Sequence, residues 1–292
     1  MKQTHPWQTL ALDHLIELAF REDLVGGDVT SDPLFLPDQC CTAHAMAKQG
    51  LVVCGMDVAQ RVFTLLDPRT TWEAFVEDGM QVESGTRLFQ VHGRAGPMLK
   101  AERIALNFMQ HLSGIATQAQ VFAQRVADLP VRIVDTRKTL PGFRALQRYA
   151  VRVGGCFNHR DNLGAGVLIK ENHIRAAGSI ARAVEQIRRQ SPHLLKIEVE
   201  VTCLEELKQA ITAGAEVVML DNMSVEQLHK AVQYTRDTAP SILLEASGGV
   251  RLETLRAISE TGVDIISVGS LTHSVQAADI SLLFKDSTTE TF

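Results

Sequence analysis

The sequence predicts an α/β protein whose second half is a small or incomplete parallel α/β barrel. After residue 130, short β-branched runs alternate with amphipathic helical stretches, a pattern typical of βαβ units in a parallel sheet. Right-handed crossovers roll such a series into a barrel. Six runs are visible, fewer than a full eight-stranded barrel needs, so we expect the N-terminal region to help close it.

Composition limits the class of protein. The chain has 292 residues, of which 45% are hydrophobic and 22% charged, so it can bury a core as one large or two modest domains. A net charge of −5 argues against nucleic-acid binding. The N-terminus lacks a signal peptide's apolar core, no run reaches the ~18 apolar residues of a membrane span, and no CxxC pair occurs. We expect a cytoplasmic protein without membrane or nucleic-acid partners.

The N-terminal part begins with a predicted amphipathic helix over residues 9–23, which the turn residues Gly26-Gly27-Asp28 end. Short alternating runs over 41–48 and 51–54 predict strands. This region therefore lacks the regular alternation of strands and helices that is predicted after residue 130.

Two further elements complete the first part. The runs 80–82 and 87–91 flank the turn residues 83–86, which predicts a β-hairpin. Residues 99–126 keep a 3.6-residue apolar rhythm without proline, which predicts a long helix that is broken or bent near Ser113-Gly114.

The barrel elements follow in regular order, and we expect polar residues 285–292 to fray. The predicted strands are 131–135, 167–169, 197–201, 217–220, 242–245 and 265–268. The predicted helices are 179–190, 204–213, 225–236 and 252–260.

Functional groups of a βα barrel collect at the carboxyl ends of its strands. The predicted ends carry charged or phosphate-binding groups. In chain order the ends are Thr136-Arg137-Lys138, Lys170-Glu171-Asn172-His173, Glu198 with Glu200, Asp221-Asn222, Ser247-Gly248-Gly249 and Gly269-Ser270. The last two favour phosphate binding, because glycine lets backbone N–H groups approach an anion closely.

Positive charge is concentrated between residues 131 and 170, where eight basic residues face two acids, while the rest of the chain is strongly acidic. This patch suits a small polyanion that carries carboxylates. We expect a solvated helix face for Arg148 and Arg152. Ligand contacts are expected for Arg137, Lys138, His159, Arg160 and Lys170.

Two acidic residues at the predicted strand ends allow several interpretations. Glu200 and Asp221 could hold ribose hydroxyls, ligate Mg²⁺ through water, stabilise a cationic sugar, or neutralise Lys138 and Lys170. Glu200 is preferred over Glu198 because it lies nearer the strand's carboxyl end. Two other classes stay open: a lyase with a Schiff base at Lys170 or Lys196, and a non-catalytic anion-binding protein.

Long motifs carry a resemblance to the quinolinate phosphoribosyltransferases. They are DTRKTLPGFRALQRYAV (135–151), GGCFNHR (154–160), LIKENHI (168–174), KIEVEV (196–201), VVMLDNM (217–223), LEASGGV (244–250) and ISVGS (266–270). Weaker likeness covers GGDVTSD (26–32) and AERIALNFMQHLSGIAT (101–117). Cys156 and Gly164-Ala165-Gly166 depart from the family pattern, in which many relatives have a glycine and an acidic residue respectively. A group tied to molybdenum transport shares the architecture.

The resemblance implies an N-terminal α/β sandwich domain (residues 1–112) and a C-terminal incomplete six- or seven-stranded α/β barrel (113–292), with a C-terminal tail that can pack back on the first domain. It implies transfer of phosphoribose from phosphoribosyl pyrophosphate (PRPP) to quinolinate, giving nicotinate mononucleotide, pyrophosphate and CO₂. It also implies a homodimer with a shared site, and a hexamer of dimers is one further assembly it allows.

The resemblance assigns roles to individual residues. Arg103 would be donated across the dimer interface. Lys138, Lys170, Glu200 and Asp221 would be catalytic, with Mg²⁺ held near the two acids through substrate and water. The substrates would contact Arg103, Thr136, Arg137, Lys138, His159, Arg160, Lys170, Glu200, Asp221, Ser247, Gly248, Gly249, Val268, Gly269 and Ser270.

Overall fold

The structure is a computed structural model that describes residues 11–285. Its described chain divides into two compact units. The N-terminal unit comprises residues 11–120, 140–155 and 275–285, and the barrel unit comprises residues 121–139 and 156–274. The predicted domain boundary between residues 112 and 113 stays a prediction, and residues 9, 10 and 286–292, on which parts of two predictions fall, lie outside the described range.

The described helices and strands are numbered in chain order. The first are α1 (Ala11–Leu24), α2 (Ser31–Leu34), β1 (Cys40–Ala47), β2 (Leu51–Val52), α3 (Met56–Leu66), β3 (Thr71–Ala74), β4 (Gln81–Val82), β5 (Arg87–Arg94) and α4 (Ala95–Arg125). The middle ones are β6 (Arg132–Val134), α5 (Arg144–Val153), β7 (Val167–Ile169), α6 (Glu171–Ala177), α7 (Ile180–Gln190) and β8 (Ile197–Val201). The last are α8 (Leu204–Thr212), β9 (Val217–Asp221), α9 (Val225–Thr238), β10 (Leu243–Ser247), α10 (Leu252–Ser259), β11 (Ile265–Ser267), α11 (Ser270–His273) and β12 (Ile280–Phe284).

The N-terminal unit is built on an antiparallel sheet with the strand order β12-β1-β5-β3. The predicted hairpin is wrong. β4 pairs with β2, whereas β5 pairs with β1 and β3, so the two predicted arms lie in different sheets. The turn residues between them do reverse the chain locally, but strand pairing is decided by which apolar faces meet in the folded unit.

The long helix α4 is continuous from Ala95 to Arg125, so the predicted break near Ser113-Gly114 does not occur. Gly114 serves close packing instead. A Cβ atom on this residue would lie 2.2 Å from the carbonyl oxygen of Gln276, which no side chain could tolerate.

Within residues 11–285, no helix combines the length and apolarity that crossing a bilayer requires.

One predicted surface of the N-terminal unit is wrong. Arg148 lies in α5 and is only 8% exposed, whereas Arg152, one turn later, is exposed as expected. The helix also buries the neighbouring Leu146 and Gln147, so it packs on more than one side. A guanidinium tolerates this position because it has interaction partners inside the fold.

The barrel unit contains one parallel sheet with the strand order β6-β11-β10-β9-β8-β7. This order is the chain order closed into a ring, except that β6 and β7 do not pair. The sheet is therefore an incomplete six-stranded α/β barrel, as predicted, opened between its first two strands. At the opening, Phe157 makes a parallel bridge to Val134 of β6 and acts as a rudimentary seventh strand.

Local signals explain the helix positions in this unit. Ser179 accepts a hydrogen bond from the backbone of Arg182 and begins α7, and Ser224 with Gln227 forms a capping box at α9. All six predicted strands are found, and the helices between them agree with the prediction to within a few residues.

Candidate active site

The carboxyl ends of the barrel strands position most of the predicted site residues. Because the strands are parallel, their carboxyl ends meet at one edge of the sheet, which we call the rim. Thr136, Arg137 and Lys138 follow β6, Lys170 follows β7, Glu200 is near the end of β8, Asp221 ends β9, Ser247 ends β10, and Gly269 and Ser270 follow β11.

Two half-buried carboxylates lie on neighbouring strands of the rim. Glu200 is in register with Met219, and Asp221 is two residues beyond Met219, so both acids point to the same face of the sheet. The backbone N–H of Glu171 donates to Oε1 of Glu200 at 3.5 Å. The side-chain amide of Asn222 donates to Asp221 at 2.7 Å.

Three cations of the rim have no acidic partner. Within residues 11–285, no carboxylate lies within ion-pair distance of Arg137, Lys138 or Lys170. Glu200 and Asp221 therefore form no direct ion pair with either lysine among the described residues, and their role stays a prediction. The Nε of Arg137 is also buried without a hydrogen-bond partner among these residues. Unpaired positive charge beside an unused donor indicates a site for an anion.

Lys138 is held in place by its main chain. Its N–H donates to the hydroxyl of Thr136 at 3.1 Å, and its carbonyl accepts from the hydroxyl of Thr272 at 2.9 Å. A Cβ atom on Gly269 would lie 3.2 Å from Cδ of Lys138, so the lysine stem runs directly beside the glycine loop after β11.

The second glycine loop is tied to the acid of the neighbouring strand. Gly248 has a φ of +91°, and a Cβ atom there would lie 2.3 Å from Oδ1 of Asn222. Asn222 itself adopts the left-handed region with a φ of 54°, and its N–H donates to the carbonyl of Ser247 at 2.9 Å. One asparagine thus fixes both Asp221 and the Ser247–Gly248 turn.

The loop after the Phe157 bridge carries two predicted ligands. Asp135, fully buried at the end of β6, accepts from the side chain of Asn158 at 2.5 Å and from the N–H of His159 at 2.9 Å. Arg160 donates from Nη1 to the carbonyl of Gly166 at 2.9 Å, just before β7 begins. The loop is therefore anchored on both sides of the barrel's opening.

A buried acid–histidine cluster, consisting of His159, Glu198 and Glu245, lies between the strands. Nε2 of His159 is 3.3 Å from a carboxylate oxygen of Glu198 in β8 and 3.3 Å from one of Glu245 in β10. The two acids are 7% and 1% exposed. Oε1 of each has no hydrogen-bond partner among the described residues.

Burial and hydrogen bonding add a proton to this cluster. Burial disfavours the charged imidazole, but hydrogen bonds to the two carboxylates prevail and raise the pKa of His159 to about 10. Burial also raises the pKa of Glu198. The N–H of Arg160 lies 2.8 Å from Nδ1 of His159, so the ring contacts the protein through both of its nitrogens.

The cluster brings together three side chains of metal-ligand type. In the structure Nε2 of His159 bonds to both carboxylates, so a metal ion would have to displace these bonds. Glu200 and Asp221 are the better candidates for Mg²⁺, because their oxygens are the ligands that a hard cation prefers and no described cation occupies them.

Sequence reasoning missed several of these residues. Glu198 was ranked below Glu200, and Glu245, Asp135 and Asn222 were not selected as functional. The available signal was an acid inside an otherwise apolar strand, which is costly and therefore informative.

Two other predicted site residues, Arg103 and Val268, do not present a side chain at the rim. Arg103 belongs to α4 of the N-terminal unit, where its side chain is exposed. Val268 is 1% exposed, and its N–H donates to the carbonyl of Val134, so it offers neither side chain nor N–H to a ligand.

Comparisons with known proteins agree with this geometry. The chain matches the quinolinate phosphoribosyl transferase N-terminal domain over residues 28–113 and the corresponding C-terminal domain over residues 115–283. It is 41% identical over 273 residues to a probable nicotinate-nucleotide pyrophosphorylase (carboxylating) of Bacillus subtilis, covering 94% of this chain and 93% of the relative. A Mycobacterium leprae nicotinate-nucleotide pyrophosphorylase (carboxylating) is 43% identical, with coverages of 91% and 95%.

Solved structures give the same picture. The nicotinate-nucleotide pyrophosphorylase of Francisella tularensis superimposes with a TM-score of 0.89 at 40% identity, covering 94% of this chain and 96% of the other. The Pyrococcus furiosus enzyme of that name has a TM-score of 0.70 at 16% identity, which extends the likeness in fold to distant sequences.

Proposed function

The chain belongs to the quinolinate phosphoribosyltransferase family, and from this premise we propose how its rim residues divide the work of the family's reaction. The protein is a pentosyltransferase that moves phosphoribose from PRPP to quinolinate and yields nicotinate mononucleotide, pyrophosphate and CO₂ for NAD synthesis. The observation that carries the residue assignment is the separation of three cations (Arg137, Lys138 and Lys170) from two acids (Glu200 and Asp221) along a single rim, none of which has an ion-pair partner among the described residues.

The cations bind the two anionic substrates. Arg137 and Arg160 take the pyridine dicarboxylate, because a guanidinium matches a carboxylate bidentately and the buried Nε of Arg137 still lacks an acceptor among the described residues. Lys138 and Lys170 act as point charges for the pyrophosphate group and steady the charge that develops as it leaves. Support for Lys138 comes from its contact with the glycine loop at Gly269.

The acids stabilise the sugar. When the bond between ribose C1 and pyrophosphate breaks, C1 becomes oxocarbenium-like, and the carboxylates of Glu200 and Asp221 favour that positive charge. The pyridine nitrogen then forms the new bond to C1. The ring becomes cationic and accepts the electron pair of the C2–carboxylate bond, CO₂ departs, and C2 takes up a proton. Positioning supplies much of the remaining rate.

Mg²⁺ is part of this proposal. Glu200 and Asp221 would hold it through substrate and water, and when bound it would neutralise charge on the pyrophosphate. The 5′-phosphate is assigned to the turns Ser247–Gly249 and Gly269–Ser270, whose backbone can approach an anion closely.

The oligomer is also proposed. We assign Arg103 to the site of a second copy of this chain, in a homodimer with shared sites. Its exposed position on α4 supports a role at a surface. Light scattering should give a dimer, and mixing Arg103→Ala with an inactive Lys170→Ala protein should restore part of the activity through hybrid dimers.

The direct test incubates the purified protein with quinolinate, PRPP and Mg²⁺ and follows nicotinate mononucleotide and CO₂ together. The proposal expects both products in equal amounts. Borohydride should trap no covalent adduct between the protein and its substrate. A Schiff-base lyase would instead be trapped through its lysine. Binding of PRPP without product would contradict the proposal and favour an anion-binding protein.

A further inference from the structure

His159 joins three parts of the barrel unit. Its Nε2 bonds to Glu198 in β8 and to Glu245 in β10, while its own N–H is held by Asp135 at the end of β6. The ring therefore links strands that the sheet order keeps apart, since β9 lies between β8 and β10.

Both nitrogens of this ring are engaged with the protein. The proton on Nε2 points at the two carboxylates, and Nδ1 accepts from the N–H of Arg160 at 2.8 Å. A polar contact between the ring and a ligand would have to break one of these bonds. The effect of His159 on a ligand therefore passes through the residue it holds, which is Arg160.

Arg160 needs such support because of its neighbours. Arg137 repels its guanidinium and Glu198 attracts it. The Nη1 bond to the carbonyl of Gly166 fixes one end of the side chain, and the bond from its N–H to His159 fixes the other. Two like charges stay close only where the surrounding structure holds them, and an anion bound between them then gains from both.

Stability does not explain the two acids. Each buried carboxylate leaves one oxygen without a partner among the described residues, an arrangement that costs about 1–3 kcal/mol per group. Replacing a whole buried charge cluster with apolar residues of similar volume is often neutral or stabilising. Their presence points to a use other than holding the fold together.

We propose that Glu198 and Glu245 are positioning residues that orient His159 and, through its ring, keep Arg160 beside Arg137 for a substrate with two carboxylates. This inference rests on the proposed function, because it takes quinolinate as that substrate. In this proposal the cluster increases the affinity for the dicarboxylate substrate. It makes no direct contact with PRPP.

Calorimetry with Glu245→Leu tests the inference. Removing the acceptor should weaken quinolinate binding by about tenfold or more, while PRPP affinity stays within about twofold. Glu245→Gln should lose less, because its amide oxygen still accepts from Nε2. The matched control is Glu226→Gln on the exposed face of α9, which should behave like the wild type. Wild-type quinolinate affinity in Glu245→Leu would overturn the inference.

Nitrogen-15 NMR of the histidine rings keeps the test decisive even if Glu245→Leu does not fold. The wild type should show the two ring-nitrogen resonances of His159, which are assigned by their loss in His159→Asn. Glu245→Gln should shift these two resonances and Glu226→Gln should not. Unchanged His159 resonances in Glu245→Gln would contradict the positioning role without affecting the proposed function, whereas absence of nicotinate mononucleotide from the assay would contradict the proposed function itself.

Discussion

The two ends of the barrel carry the same kinds of charged residue in opposite states. At the amino end, Glu216 accepts from Arg188 and from the backbone of Ile197, and Asp264 accepts from Arg236 and from the backbone of Leu244. At the rim, Arg137, Lys138, Lys170, Glu200 and Asp221 have no ion-pair partner among residues 11–285.

This difference indicates which charges stabilise the fold and which ones bind a ligand. Paired charges at the amino end satisfy backbone groups and stabilise the barrel, while unpaired charges at the rim keep their binding capacity for a ligand. Substitutions at the amino end should therefore cost stability, and substitutions at the rim should cost activity.

The largest effect is expected at the rim. Lys138→Ala or Lys170→Ala should reduce turnover by about tenfold or more and leave the unfolding temperature nearly unchanged, because we assign each lysine to substrate and neither has a carboxylate partner among residues 11–285. Lys196→Ala is the matched control, since Lys196 is exposed and precedes β8 at the amino end. Wild-type turnover in both rim variants would remove the contrast between the two ends.

The second effect is expected at the amino end. Arg236→Ala should lower the free energy of unfolding by about 2 kcal/mol, because it removes hydrogen bonds to Ile242, Gly262 and Asp264 and leaves that carboxylate without its cation. Denaturant unfolding measures the change, and turnover per folded molecule should stay at the wild-type value. Wild-type stability with reduced turnover in Arg236→Ala would contradict the structural role that we assign to the charges at the amino end.

A third prediction extends the paired class to the N-terminal unit. Asp67 is 1% exposed and accepts from Arg94 at 2.7 Å, a bond that holds the pKa of this carboxyl below its usual value. Asp67→Asn should cost about 1–2 kcal/mol at neutral pH.

The pH dependence of Asp67 follows from the sign of its shift. A lowered folded-state pKa gives stability that is present above the unfolded pKa of about 4 and is lost as the pH falls through the folded value. The difference between the wild type and Asp67→Asn should shrink in acid. A difference that stays constant down to the lowest pH would show that the charge of Asp67 contributes nothing.

The smallest effect is expected for an exposed pair. Arg189 and Glu185 are one turn apart on α7, and both side chains are mostly exposed. Arg189→Ala should change the free energy of unfolding by about 0.3 kcal/mol, and salt should reduce that change further. A loss comparable with that of Arg236→Ala would show that pairing alone, rather than burial and backbone contacts, determines the contribution.

Much of this fold follows from local sequence. The apolar runs of β7 and β8 have the bounds that periodicity predicts, and the rim follows because parallel strands end together. The pairing of β4 with β2 could not be predicted, since it depends on a partner thirty residues away in the chain. The burial of Arg148 also escapes the pattern, because helical spacing alone does not show how many sides of α5 are covered.

The site divides in the same way. Its exposed cations and glycine turns could be read from the chain, because they directly follow apolar runs. The inward acids Glu198 and Glu245 could not be assigned a role, because their partner His159 lies on a loop distant in sequence. Only the folded barrel unit brings these three side chains together.

The central claim is that the unpaired cations of the rim belong to the substrate, and Arg137 tests it most directly. Calorimetric titration of quinolinate should show binding to the wild type and a loss of about tenfold or more in Arg137→Met, with the same unfolding temperature in both proteins. Equal affinity in the two proteins would contradict the account, because the buried Nε that lacks a partner among residues 11–285 would then have no role in binding.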